Sequence, residues 1–137
     1  MSVVKSKRSE GTLSVLTKSN ELAVYTIRIC SNEKNFPKRY RWCLTSKLVE
    51  AAVDIANFIT MANAVYVTDD NDYAIRKAYQ TKALSASYAL LNMIDMSYRT
   101  FGIETDRVEY WTRLLMEVQT LLRNWRKRDI ERYEDKG

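Results

Sequence analysis

Apolar residues recur along this chain with the three- and four-residue spacing of amphipathic helices. The clearest run is Val108, Trp111, Leu115, Val118, Leu122 and Trp125, whose steps alternate three and four. That stripe is the seam of a helical bundle, and Leu114 and Leu121 widen it, as burial against two neighbours requires. Thr105 or Asp106 is placed to accept backbone N–H bonds at the start, with Glu109 in the first turn, so a helix is predicted over 106–131.

Upstream, Leu44, Leu48, Ala51, Ile55, Phe58, Ala62 and Val65 form a second seam, entered through Pro37, whose fixed φ suits a first helical turn. This predicts a helix over 38–67. The polar break Asp69, Asp70, Asn71 and Asp72 supplies N-cap chemistry for a third helix over 71–98, lined by Leu84, Tyr88, Leu91 and Tyr98. Residues 99–104, with Gly102, end it. Leu22, Tyr25 and Ile29 mark a first helix that begins at Leu13 or just after Ser19 and ends near Ser31.

Four helices joined by short loops pack most simply as an all-α, antiparallel up-down-up-down four-helix bundle. At 137 residues and 46% apolar composition the chain suits one domain with a real core, placed at 13–137, preceded by a flexible basic arm at 1–12. The longest stretch without Lys, Arg, Asp or Glu in the apolar middle, Ile55 to Thr68, falls short of the roughly 20 residues that span a bilayer. Two cysteines, Cys30 and Cys43, do not make a disulfide framework, and no signal segment opens the sequence, so a cytoplasmic, membrane-free setting is expected.

The chain has no histidine, which removes Ser-His-Asp and Cys-His catalysis and every His-containing zinc site. Three glycines and one proline leave no Gly-rich phosphate loop. Glu50 and Asp54 share a helix face, but the di-metal bundles need Glu-x-x-His ligands, so no metal, cofactor or enzyme activity is expected. Asp54 is expected instead as a surface or half-buried acid paired with an Arg or Lys. Asn57 and Asn63 are expected in interhelical or intersubunit hydrogen bonds, and both cysteines as buried, inert thiols. The nine tyrosines suit helix flanks and an oligomer interface.

Charge is unevenly spread. Residues 1–44 carry nine basic and three acidic groups, while the remainder is balanced to within one charge. Within the front segment, Lys34, Lys38, Arg39 and Arg41 interleave with Phe36, Tyr40 and Trp42, the pairing of cations and rings with which proteins bind single-stranded nucleic acid. The same rings also suit closure of a bundle end. A second cluster, Arg123, Arg126, Lys127, Arg128 and Arg132, lies near the end of the last helix, where cations complement the helix dipole and where Asp129, Glu131, Glu134 and Asp135 offer ion pairs. In an up-down-up-down bundle these clusters occupy opposite ends, the second beside the arm and the acidic 69–72 loop.

The junction Asn35-Phe36-Pro37-Lys38, followed by Arg39-Tyr40-Arg41-Trp42, together with Trp125 near the end of the fourth helix, resembles the Avd-type four-helix-bundle proteins over about residues 13–133. These are accessory variability proteins of diversity-generating retroelements, with relatives encoded by intervening sequences in ribosomal RNA genes. The resemblance implies a homopentamer that binds a reverse transcriptase and its template RNA, and supports mutagenic cDNA synthesis without catalysing it. The net charge of +5 is modest for that family. The expected role is a non-enzymatic oligomeric adaptor for RNA, with DNA as a second polyanion; the alternative is an intervening-sequence-type protein–protein scaffold.

Overall fold

The computed structural model describes residues 3–134, and side chains from Gly11 onward. The fold is an all-α four-helix bundle: α1 Val3–Cys30, α2 Ser46–Ala64, α3 Asp70–Phe101 and α4 Thr105–Tyr133, with a 3-10 turn at Lys38–Tyr40 and a π-helical turn at Arg41–Thr45 between α1 and α2. Packing runs from α1 to α2 to α3 to α4 and closes α4 onto α1. The partners of α1 and α4 run in opposite order: Arg128 lies beside Gly11, Lys18 pairs with Glu117 at 3.4 Å, and the Tyr25 hydroxyl reaches the Arg107 carbonyl. Between α3 and α4 the order is likewise reversed, from Arg76 with Asp129, through Ser87 with Gln119, to Tyr98 with Thr105. No helix among the described residues is long and apolar enough to cross a membrane.

Helix ends differ from the sequence expectation for local reasons. α1 begins at Val3, because residues 3–10 hold no proline and several good helix formers. The stretch expected as an arm is therefore helical from Val3; residues 1 and 2 and the side chains of Lys5, Lys7 and Arg8 lie outside the described residues. The expected 38–67 helix is split. Pro37 caps the 3-10 turn, and α2 stops at Ala64 because β-branched Val65 is extended, at φ −79° and ψ 114°. α3 is capped by Asp69, whose carboxylate accepts the Asp72 N–H at 2.8 Å, and ends at Gly102, left-handed at φ 64° with its N–H on the Tyr98 carbonyl. Neither Thr105 nor Asp106 caps α4: Glu104 occupies that position without a side-chain cap bond.

The α4 seam is buried as its spacing requires, with Trp111, Leu115, Val118, Leu122 and Trp125 in the core and Val108 half-buried. The α3 seam lies one residue away from the expected stripe. Tyr88 and Tyr98 are exposed, while Gln80, Ala83, Ser87, Leu90, Ile94 and Ser97 face inward. Serine tolerates that burial because its hydroxyl returns a bond to its own helix, Ser87 to Leu84 and Ser97 to Met93 at 2.6 and 2.8 Å. Opposite them, the Trp111 indole N–H donates to the Thr26 hydroxyl at 2.9 Å.

Replacing Trp111 with alanine is expected to cost about 3–5 kcal/mol, through the lost ring and the cavity it leaves, read as a lower urea midpoint; the Thr26 hydroxyl keeps its bond to the Leu22 carbonyl at 2.8 Å. Gly102→Ala should cost about 1 kcal/mol, the penalty of a Cβ in the left-handed region.

Candidate nucleic-acid interface

The corner between α1 and α2 is built around a buried plug. Asn32 closes the turn, its carbonyl accepting from the Phe36 N–H at 2.9 Å and its side-chain oxygen from the Lys34 N–H at 3.0 Å. Phe36, 3% exposed, is driven into the core against Phe101 and Trp111, with ring centroids 5.3 and 6.1 Å apart. Tyr40 packs on Phe101 at 5.1 Å. Two of the three corner rings thus close the bundle end. The third does not: Trp42 is 80% exposed.

Lys34, Lys38, Arg39 and Arg41, in the same corner segment, are all exposed. Lys38 pairs with Glu33 at 3.3 Å, an acid just outside the basic run, and both groups are so exposed that the pair contributes little. Arg39 lies over the Tyr40 ring at 5.1 Å. Among the described residues Lys34, Arg39 and Arg41 form no ion pair. The corner therefore offers three uncompensated cations and one bare indole, which can neutralise phosphate and stack on a base.

The second cluster lies at the other end: Trp111 and Asp129 stand about 27 Å apart along α4 at 1.5 Å per residue. Two of its nearby acids, Asp129 and Glu134, are engaged elsewhere. Asp129, buried, accepts from Arg76 Nε and Nη2 at 2.8 and 2.9 Å and from Gln80 Nε2 at 2.8 Å. Glu134 accepts from Lys77 at 2.7 Å and from the Tyr73 hydroxyl. Both acids thus serve α3, and among the described residues none of Arg123, Arg126, Lys127, Arg128 and Arg132 is in an ion pair. Arg123 instead bonds and covers Tyr88, Arg126 donates to Thr81 at 3.2 Å, and Arg132 lies over Tyr133 at 5.4 Å. Asp69 and Asp72 of the acidic loop are spent on the start of α3, where Asp72 also accepts from the Thr68 N–H and hydroxyl. Those bonds hold the Asp72 carboxyl below its ordinary range.

Other expected roles are revised by exposure. Asn57 and Asn63 lie at the surface of the chain rather than between its helices. Glu50 is exposed, and half-buried Asp54 has no ion-pair partner among the described residues. No three acidic or thiol groups converge there as a metal site among the described residues. Cys30 is buried, and burial pushes its thiol up to about 12; Cys43 is exposed, its Sγ–H on the Tyr40 carbonyl. The Asp129 network was the feature hardest to see in sequence, because its partners, Arg76 and Gln80, come from another helix.

Three outcomes are expected. Asp129→Ala should cost about 3–5 kcal/mol in urea unfolding, since it strands the Arg76 guanidinium. Hydrogen bonds from Lys77 and Tyr73 hold the Glu134 carboxyl below its ordinary 4.5. Because the folded value is the lower one, this contribution is present above pH 4.5 and is lost as pH falls through the folded value, so the Tm gap between the native chain and Glu134→Gln should close on acidification. A disulfide reagent at pH 8 should modify Cys43 in the native protein and Cys30 only on unfolding.

Comparison with protein-family models, curated proteins and solved structures gives no match.

Proposed function

We propose that this chain is a non-enzymatic, nucleic-acid-binding helical adaptor, and that its corner between α1 and α2 is the principal contact. The observation that carries this reading is Trp42, 80% exposed in the same short corner segment as exposed Lys34, Arg39 and Arg41. An exposed indole offers a base a face to stack on, and cations that form no ion pair favour a polyanion. Single-stranded RNA meets both demands, since its bases are available for stacking. The Asn35–Trp42 junction further supports an Avd-type role, in which an oligomer, a pentamer in that family, holds template RNA beside a reverse transcriptase of a diversity-generating retroelement. The basic cluster Arg123, Arg126, Lys127, Arg128 and Arg132 gives such an assembly a second polyanion surface, which a short strand on one subunit does not reach from the corner.

A second reading is an oligomeric protein–protein scaffold of the ribosomal intervening-sequence type. It is favoured by a shallow, largely apolar groove of about 700 Å³ along α4, lined by Val108, Thr112, Met116 and Leu121.

Titration of single-stranded RNA at increasing salt tests the two. If the corner binds phosphate, affinity falls steeply with salt, and Arg39→Glu with Arg41→Glu flattens the log–log slope by at least about 1.4, from two lost contacts at 0.7 each. Trp42→Ala should weaken binding by about 1–3 kcal/mol, the worth of one stacked base. No RNA affinity at low salt would favour the scaffold.

A further inference from the structure

At the end of the bundle away from Trp42, the four helices and the α2–α3 loop line an open cleft of about 780 Å³. Its walls include Leu13 and Leu16 of α1, Asn63 at the end of α2, Tyr66 in the α2–α3 loop, Arg76 of α3 and Arg132 of α4. The volume is that of a small-molecule site. Tyr66, Trp42 and Leu13 are the three most exposed large apolar side chains among the described residues, at 85, 80 and 61%, and two of them stand on this cleft.

The polar side of the cleft is preorganised. Arg76 is fixed by its two bonds to buried Asp129, which Gln80 holds in turn, and its guanidinium lies over the Trp125 ring at 5.1 Å. Nε and Nη2 are the atoms spent on Asp129, and Nη1 makes no hydrogen bond among the described residues. A guanidinium held in this way loses little freedom when it binds an anion. Arg132, which forms no ion pair among the described residues, lies over the Tyr133 ring, and Asn63 offers both an amide donor and an acceptor. One wall therefore suits a phosphate, and the Tyr66 and Leu13 rim suits a flat ring with hydrogen-bonding edges.

We infer that this cleft binds a single nucleotide unit through its terminal phosphate and base. Arg76 and Arg132 take the phosphate, Tyr66 covers the base and Asn63 reads its edge. The chemistry is shared by a free nucleoside monophosphate and by the phosphorylated end of a strand. This goes beyond the corner reading and does not depend on it, since the two sites share no residue.

Calorimetric titration of the full chain with 5′-AMP, UMP, adenosine and inorganic phosphate tests the inference. A nucleotide should bind at least about tenfold tighter than either fragment, a gain of roughly 1.4 kcal/mol. Arg132→Glu and Tyr66→Ala, both at exposed positions, should each weaken that binding at least several-fold, while Arg39→Glu with Arg41→Glu leaves it unchanged. A 5′-phosphorylated oligonucleotide that displaces AMP, where its unphosphorylated twin does not, would identify strand ends as the source; failure of both to displace it would identify the free nucleotide. AMP binding no tighter than phosphate, insensitivity to both cleft variants, or saturable binding of an acidic tyrosine-containing peptide with none of AMP would overturn the inference. Loss of AMP binding beside intact, Trp42-dependent RNA binding would sink the cleft alone, and the reverse would sink the corner alone.

Discussion

A buried carboxylate organises the end of this bundle where the last turns of α4 meet the first turns of α3. Asp129 leaves water on the α4 seam and is compensated from α3, by a two-pronged bond from Arg76 and a third bond from Gln80. A charge at that depth is tolerable only when it is paired and hydrogen-bonded, so α3 and α4 must meet in this register. Three consequences follow from that constraint. The last turns of α4 are tied to the first turns of α3, with Tyr73, Lys77 and Glu134 extending the same tie to the surface. The α4 cations lose their nearest acid as an ion-pair partner. The Arg76 guanidinium is oriented before any ligand arrives.

The opposite end is organised by apolar burial instead. Phe36 fills the space between Phe101 and Trp111, and Tyr40 leans on Phe101, so the chain between α1 and α2 is pinned at two points. The tight 3-10 turn and the wide π-helical turn that follow absorb the change of direction into α2. With Phe36 and Tyr40 inside, Trp42 and the neighbouring guanidinium groups are left in water. The plug thus serves stability and display together, and the polarity of the corner is a result of packing as much as of composition.

Both ends of the bundle consequently combine cations with exposed rings, for different physical reasons, and they are separated by the length of the helices. The flanks between them carry scattered ion pairs such as Lys18 with Glu117 and with Glu21, which are too exposed to organise a ligand. Electrostatic work is therefore concentrated at the tips. In the proposed role, an assembly that sets tips of neighbouring subunits side by side would give a strand a continuous track, whereas one subunit gives it two separate footholds.

Spacing of apolar residues determined by itself that the chain is four helices around one core, and it located the α4 seam residue by residue, because large aliphatic and aromatic side chains at a 3.6-residue period have one economical solution. It also marked the corner, since four cations and three rings in nine residues are visible without a fold. It misread the inward face of α3, where the core takes alanine, serine and glutamine and leaves Tyr88 and Tyr98 outside: small and polar residues carry no apolar signal, although the hydroxyls of Ser87 and Ser97 can be satisfied by their own helix. Tertiary structure alone decided which corner ring is bare, which acids are spent on α3, and that Leu13, Tyr66, Arg76 and Arg132 share a cleft. Those outcomes depend on which groups from distant helices arrive at the same place, and a local pattern of charge and hydropathy holds no information about a partner some fifty residues away, such as Arg76 for Asp129.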